Sequence, residues 1–357
     1  MNNKNDQSVR KILFNWQQAT ALPDMDGFAG SYAGVSNGAL LVAGGSNFPA
    51  NSRPWSGGVK AWYDKIFLLD NPTTKWLEAG KLPRKMGYGV SLTYDNGILC
   101  LGGGDANACY VDAFILKNYS GKVVIETLPS MPFPLMNASG LIAEEMVFIA
   151  GGISSPNGLT QKYFWGLDLS APSSERKWQI IGELPGKSRM FSIVGTDNDN
   201  FFLFGGVHLT NSSDGSGMNR EYLKDSWLFN RNTGWKRIAD MPGPLAAAPS
   251  PAYMANMSLI IFGGDDGRNA IKVSELMDRH PGFRNEILCY DIISDLWNIV
   301  GTMPVDLKKD AVSNPGNSIY SPVTTPLVIW NNAILIPGGE ARPAVRSNKM
   351  LLGVIQK

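Results

Sequence analysis

The 357-residue sequence is poor in histidine and cysteine, with two of the first and three of the second, and neither sign of charge prevails: 32 Lys and Arg stand against 31 Asp and Glu. Each scarcity excludes a class of function. His208 and His280 are too few for a His-rich copper centre, and Cys100, Cys109 and Cys289 form an odd set without CxxC spacing. Cys100 and Cys289 fall inside apolar strand patterns and read as buried, inert thiols. A formal net charge of +1 without a basic stripe argues against a nucleic-acid partner. No run approaches the roughly 18 apolar residues of a membrane helix, and the opening MNNKNDQSVRK is polar with no apolar signal core behind it. The expectation is a soluble chain, cytoplasmic as written, or periplasmic if a leader has been removed.

What the sequence does have is glycine and proline, 39 and 22 residues spread along the whole length. Six short apolar runs end in a glycine doublet: Leu40–Gly45, Ile98–Gly103, Val147–Gly152, Phe201–Gly206, Leu259–Gly264 and Ala333–Gly339. Self-similarity at this spacing marks a repeat architecture. After each doublet come a variable loop, a second apolar run, a turn and a strand ending in Leu-Pro or Met-Pro. Trp76, Trp178, Trp235 and Trp297 each stand seven residues before such a proline, and Leu128-Pro129 keeps the register in the unit without Trp.

Four antiparallel strands per unit and six units predict one all-β domain, a six-bladed β-propeller. The predicted blades span about 24–83, 84–132, 133–185, 186–242, 243–304 and 305–357 plus 10–23. The sixth unit lacks its own Trp strand, and Ile12–Pro23, with Trp16 seven residues before Pro23, supplies it. The N-terminal strand is therefore expected to close the last blade and remove an exposed edge. The doublets read as sharp backbone bends rather than phosphate cradles, since no helix pattern follows them. Doublet, strand and Trp strand together resemble the kelch repeat, which serves both enzymes and interaction modules, so function must come from the loops.

Two loops stand out. Ser46–Asp64 mixes Arg53 and Lys60 with Phe48, Trp55, Trp62 and Tyr63, a composition suited to a small, partly apolar anion such as an acidic sugar. It reads equally as a loop folded on its own aromatics to cover the ring. In Gly338–Arg346 (GGEARPAVR), Glu340 follows the doublet at once and Arg346 lies six residues on. Such a pair can offer a proton acceptor and a carboxylate clamp, or form a plain surface ion pair.

The stretches Asp26–Gly45, Met86–Gly103 and Gly338–Ser347 resemble the bacterial kelch-type sialic acid mutarotases, also called N-acetylneuraminate epimerases. The loop Asn47–Asp64 is similar to a hallmark of their cyclically permuted branch, in which the Glu/Arg blade comes last. The resemblance implies a six-bladed propeller that interconverts the α and β anomers of N-acetylneuraminate without a cofactor or metal. It also implies an essential pair at Glu340 and Arg346, in the motif GEAxPxxR. Gly-Gly stands before the Glu where the family's founding form has Asn-Gly. Arg189, in PGKSRM, is a second candidate for the substrate carboxylate, with Lys60 as an alternative. Arg53, Trp55, Tyr88 and Arg220 complete the expected binding set, and the partner is a small acidic sugar. Asp265–Phe283 is shorter than the insert that some relatives carry, so no lid is inferred from it.

Mutarotation of a 2-keto sugar acid removes the anomeric hydroxyl proton, protonates the ring oxygen, rotates the freed carbonyl and recloses the ring. Glu340 is the expected base, with Arg346 orienting the carboxylate and keeping Glu340 ionised. Other readings remain: a kelch interaction module gripping a protein segment, which predicts a surface without a convergent Glu/Arg depression, or a mutarotase of another keto sugar acid. The Asp-box of six-bladed sialidases is absent. His208 and His280 read as solvated loop residues, and Arg220-Glu221-Tyr222 as an ion-paired loop base or part of the site wall.

Overall fold

In the computed structural model, which describes residues 14–215 and 217–355, six four-stranded antiparallel sheets stand around one axis. Blade 1 runs outward from Tyr32–Ser36 through Ala39–Ala43 and Lys65–Leu69 to Leu77–Lys81. Blades 2 to 5 repeat this order from Val90–Tyr94, Ser139–Ala143, Ile193–Thr196 and Tyr253–Ala255. Blade 6 comprises Val328–Trp330, Ala333–Pro337 and Met350–Ile355, and its outer strand is Phe14–Ala19. The closing strand pairs in unbroken register from Phe14↔Ile355 to Ala19↔Met350. It packs Phe14 and Trp16 edge-on against Phe262 of blade 5, at ring-centroid separations of 5.1 and 5.8 Å. Ile12, at the predicted start of this strand, lies outside the described residues.

The doublet strands are apolar on both faces because each blade is sandwiched between two others. Leu40 and Val42 of blade 1 pack with Leu335 and Leu352 of blade 6. Leu41 and Ala43, on the opposite face, pack with Ile98 and Phe114 of blade 2. The core is thus a set of wedges between neighbouring blades, which removes the polar-out alternation of a half-exposed sheet. The outer Trp strands tie the same neighbours through their indoles: Trp76 donates to the carbonyl of Thr20 (3.1 Å), Trp178 to Pro129 (2.9 Å) and Trp297 to Ala239 (2.8 Å). Cys100, Cys109 and Cys289 are buried free thiols, each pushed up by burial.

At the axis the chain forms a closed collar. Gly30, Tyr88, Asn137, Phe191, Ala247 and Thr324, each in the segment that leads into an innermost strand, all have φ between +53° and +68°. Each amide donates to the carbonyl of its counterpart one blade back, from Tyr88 N–H to Gly30 (2.7 Å) round to Gly30 N–H to Thr324 (2.8 Å). Five of the six are not glycine, so the left-handed backbone costs about 1–2 kcal/mol per residue. The ring of hydrogen bonds and the packed blades hold them there.

The variable loops rise on one side of this collar. After the fourth doublet the expected loop is instead a continuation of the strands. Asn200–Asn211 and Met218–Asn230 pair onward from Gly206↔Leu223 to Asn211↔Met218, so a β-arm stands over the ring. Among the described residues no helix is long and apolar enough to cross a membrane.

Candidate functional site

The side chains above the collar enclose an open depression of about 1080 Å³, lined among others by Lys60, Trp62, Tyr88, Arg220, Tyr222, Asp265, His280, Glu340 and Arg346. Its floor is the collar itself, through Tyr88, Asn137, Phe191, Ala247 and Thr324.

Glu340–Arg342 and Val345–Arg346 form a small hairpin whose register places Glu340 opposite Arg346. The turn is made by Pro343 and by Ala344, which has φ +62°. Six residues of separation thus become a cross-strand contact. Glu340 Oε1 accepts from Arg346 Nη1 (2.7 Å) and from the Ala344 amide (3.0 Å). Glu340 Oε2 has no hydrogen-bond partner among the described residues. One oxygen therefore anchors the carboxylate while the other keeps its lone pairs free.

Arg346 is almost wholly buried, with a side chain 3% exposed. Burial alone would lower its pKa, but Glu340, followed by Tyr88, outweighs that and holds it raised. Its Nη2 makes only a long contact to Tyr88 Oη (3.4 Å), and its guanidinium lies 5.3 Å from the Phe48 ring centroid. The Tyr88 hydroxyl also meets Ser46 Oγ at 3.2 Å. Lys60 Nζ sits 5.3 Å from the Tyr88 ring and 5.4 Å from that of Trp62, within cation–π range. Burial raises the Tyr88 phenol, yet Arg346 and then Lys60 prevail and leave it below its ordinary value. Lys60 and Arg220 have no carboxylate partner among the described residues. Three polar atoms of lining residues, Trp62 Nε1, Asn137 Oδ1 and Arg346 Nε, are buried without a partner among the described residues.

Gly30 belongs to this site indirectly. A Cβ there would lie 2.6 Å from Cγ of Tyr88, so the ring occupies the space a side chain would need. Gly30→Ala is expected to combine left-handed strain of about 1–2 kcal/mol with displacement of the Tyr88 ring. Urea unfolding would show the stability loss, and a crystal structure of the variant the moved ring.

The sequence-predicted residues divide into two groups. Glu340, Arg346, Tyr88, Lys60 and Arg220 meet at the depression. Arg189 does not: it is fully buried, its guanidinium paired bidentately with Asp225 (Nη1–Oδ1 2.9 Å, Nη2–Oδ2 2.7 Å), with further bonds to the carbonyls of Gly205 and Lys187. It fastens the base of the β-arm, and its expected role on the carboxylate is withdrawn.

Arg53 and Trp55 also turn away, to the rim. Arg53 Nε (3.2 Å) and Trp55 Nε1 (3.0 Å) bind the carboxylate of Asp278, and Arg342 of the Glu340 hairpin binds its backbone carbonyl and, at 3.4 Å, its Oδ1. Asp278 thereby knits the first-blade loop, the fifth-blade insert and the sixth-blade hairpin. Asp278→Asn should cost about 1–2 kcal/mol, reduced from the value of a fully buried charge because Asp278 is partly exposed. Thermal unfolding checks this, with loosening expected at the rim before the blades.

Both histidines depart from the solvated reading. His208, on the β-arm, has its Nδ1 2.8 Å from the Ser188 carbonyl. His280 is buried, lines the depression, and accepts the Gly282 amide at Nδ1 (3.1 Å). Burial, followed by the charge of Arg342, lowers its pKa, so it is neutral with Nε2–H as donor. In the segment Arg220-Glu221-Tyr222, Glu221 pairs with Lys187 rather than with Arg220.

Asp265 had no place in the sequence reading. It follows the fifth doublet as Glu340 follows the sixth, and the two stand at equivalent backbone bridges, Ala246↔Asp265 and Val323↔Glu340. Its Oδ2 accepts from Tyr222 Oη (2.7 Å) and its Oδ1 from the Gly267 amide (3.0 Å). Burial is the largest influence on it, and with the nearby charges of Asp266 and Glu340 it leaves Asp265 above the ordinary carboxylate value.

Residues 3–125 match the family model described as N-acetylneuraminate epimerase. Curated relatives of that name include proteins of Haemophilus influenzae (35% identical over 120 residues, 30% of this chain and 32% of that protein) and Pasteurella multocida (34% over 131 residues, 32% and 34%). A Salmonella arizonae protein is 33% identical over 126 residues, 31% of this chain and 32% of its own. These matches span about a third of each relative's length. The family-model match includes Lys60, Trp62 and Tyr88 but ends before Glu340 and Arg346. Among solved structures, that of YjhT superposes with a TM-score of 0.65 at 14% identity, covering 95% of this chain and 99% of that one. Over about its first third the chain is similar to proteins named N-acetylneuraminate epimerase, and over nearly its whole length it has the fold of YjhT.

Proposed function

We propose that the chain is a mutarotase of N-acetylneuraminate, interconverting its α and β anomers by acid–base opening and reclosure of the sugar ring without a cofactor. The observation that carries this reading is the Glu340–Arg346 pair at the wall of the depression, one carboxylate oxygen anchored by two donors and the other free. Glu340 Oε2 takes the anomeric hydroxyl proton. Arg346 Nη1 anchors the Glu340 carboxylate, and its Nη2, with Lys60 beside Tyr88, receives the substrate carboxylate. Such charge-assisted bonds are about twice as strong as neutral ones. Trp62 and Phe191 offer apolar surface to the sugar face and the N-acetyl methyl. A volume of about 1080 Å³ lies just above the usual range for small-molecule sites, roomy enough for a nine-carbon acid and the ring-opened form it must pass through.

The barrier is modest because mutarotation proceeds unaided, so a positioned base and acid contributing about 10²–10⁴-fold each suffice. Freshly dissolved N-acetylneuraminate, followed by optical rotation with and without catalytic protein, tests the activity, and other 2-keto sugar acids in parallel test the substrate. Faster equilibration of N-acetylneuraminate than of its relatives is expected; acceleration of another acid alone would reassign the substrate.

A further inference from the structure

Ring opening needs a proton donor as well as a base, and the proton must return on reclosure. We infer that Asp265, hydrogen-bonded to Tyr222, is the acid that protonates the ring oxygen opposite the Glu340 base. The inference rests on the mutarotase reading and adds the second member of the catalytic pair.

The argument is one of placement. Asp265 and Glu340 follow equivalent glycine doublets in adjacent blades, and the collar residues beneath them, Ala247 and Thr324, are joined by a backbone hydrogen bond of 2.8 Å. Both carboxyl groups line the same depression. Their surroundings differ in the sense that separates acid from base. Glu340 has an arginine on one oxygen. Asp265 has no cation bonded to it: Tyr222 reaches it from the β-arm, Glu340 faces it from the closing blade, and Asp266 on its own loop is neutralised by Arg268. Of two carboxyls that line one depression, the one with no arginine bonded to it holds a proton the more readily. The raised pKa of Asp265 agrees with that assignment.

The step balances internally. The anomeric O–H gives its proton to Glu340, the carbon–oxygen double bond forms, and the bond from the anomeric carbon to the ring oxygen breaks. The ring oxygen keeps the electron pair and takes the Asp265 proton. After the carbonyl rotates, the free hydroxyl attacks its other face, returns its proton to Asp265, and the new anomeric oxygen takes the proton from Glu340. Both residues end as they began, so turnover needs no external acid or base. His280 Nδ1 already accepts the Gly282 amide, whereas Asp265 alone matches the position of Glu340 directly after a doublet as a second carboxyl.

The test compares wild type, Asp265→Asn and Tyr222→Phe with N-acetylneuraminate, reading anomer exchange from pH 4 to 9 and substrate affinity by calorimetry. The wild-type rate should fall at high pH as Asp265 loses its proton, with that limb above the ordinary carboxylate range. Asp265→Asn should retain its affinity within a few-fold, lose about 10²–10³-fold in rate and lose the high-pH limb. Tyr222→Phe should keep the rate within about tenfold and shift the limb. An Asp265→Asn variant of wild-type rate, or one whose loss tracks its affinity with the limb intact, overturns the inference while leaving the mutarotase reading standing. Absence of acceleration by wild type would instead remove that reading.

Discussion

Glu340→Gln is expected to lower the catalysed rate of anomer interconversion by about 10²–10⁴-fold, the contribution of one positioned general base. The amide keeps an oxygen to accept from Arg346 and Ala344, so the hairpin geometry survives, but it offers no basic lone pair. The loss should therefore appear in kcat, with substrate affinity changed little, because the carboxylate of the sugar is held by Arg346 and Lys60. The buried Arg346 loses its counter-charge, and the protein should be less stable by about 1–3 kcal/mol. It should remain folded at assay temperature. Kinetics by optical rotation, with a melting curve of the same sample, separate the two effects. A Gln variant of wild-type rate would remove Glu340 as base.

Arg189→Met should produce the largest loss of stability, about 3–5 kcal/mol, because it leaves Asp225 without the arginine that surrounds it. The melting temperature should drop on the order of 10 °C. Burial raises Asp225, but the hydrogen bonds and charge of Arg189 outweigh it and hold the carboxyl below 3.8. A lowered folded-state pKa contributes stability that is present above 3.8 and lost as pH falls through the folded value. The gap between wild type and Arg189→Met should accordingly be full at neutral pH and narrow in acid. Because Arg189 lies outside the depression, the folded variant should turn over substrate with an unchanged KM. A raised KM with unchanged stability would show that Arg189 reaches the substrate after all. Asp225→Leu combined with Arg189→Met should restore part of the loss, since neither charge is then stranded.

Why some of this was legible in the sequence follows from how local each feature is. The doublets stand out because both glycines of each pair adopt positive φ, at Gly338 and Gly339 +64° and +100°. The Glu340–Arg346 contact is contained in one short hairpin, so spacing could pair the two residues, while the resemblance to GEAxPxxR set the pair in the site. Strand closure by Trp16 was readable because the repeat had a gap of known shape. Arg189 gives no such signal, because its partner lies 36 residues away and nothing local reveals that Asp225 returns to it across the β-arm. Arg53 and Trp55 were drawn into the site for the same reason, their shared partner Asp278 being more than 200 residues distant. The arm itself was hidden by Gly205-Gly206, which in the other blades ends the strand and here sits inside one. Asp265 did leave a signal, a carboxylate directly after a doublet as in blade 6.

The central claim is the reaction, and saturation-transfer NMR at anomeric equilibrium tests it most directly. Irradiating a resonance of one N-acetylneuraminate anomer in the presence of catalytic wild-type protein should attenuate the matching resonance of the other, far beyond buffer alone, with Glu340→Gln close to buffer. Transfer in the wild-type sample no greater than in buffer, from protein shown to be folded, would contradict the account.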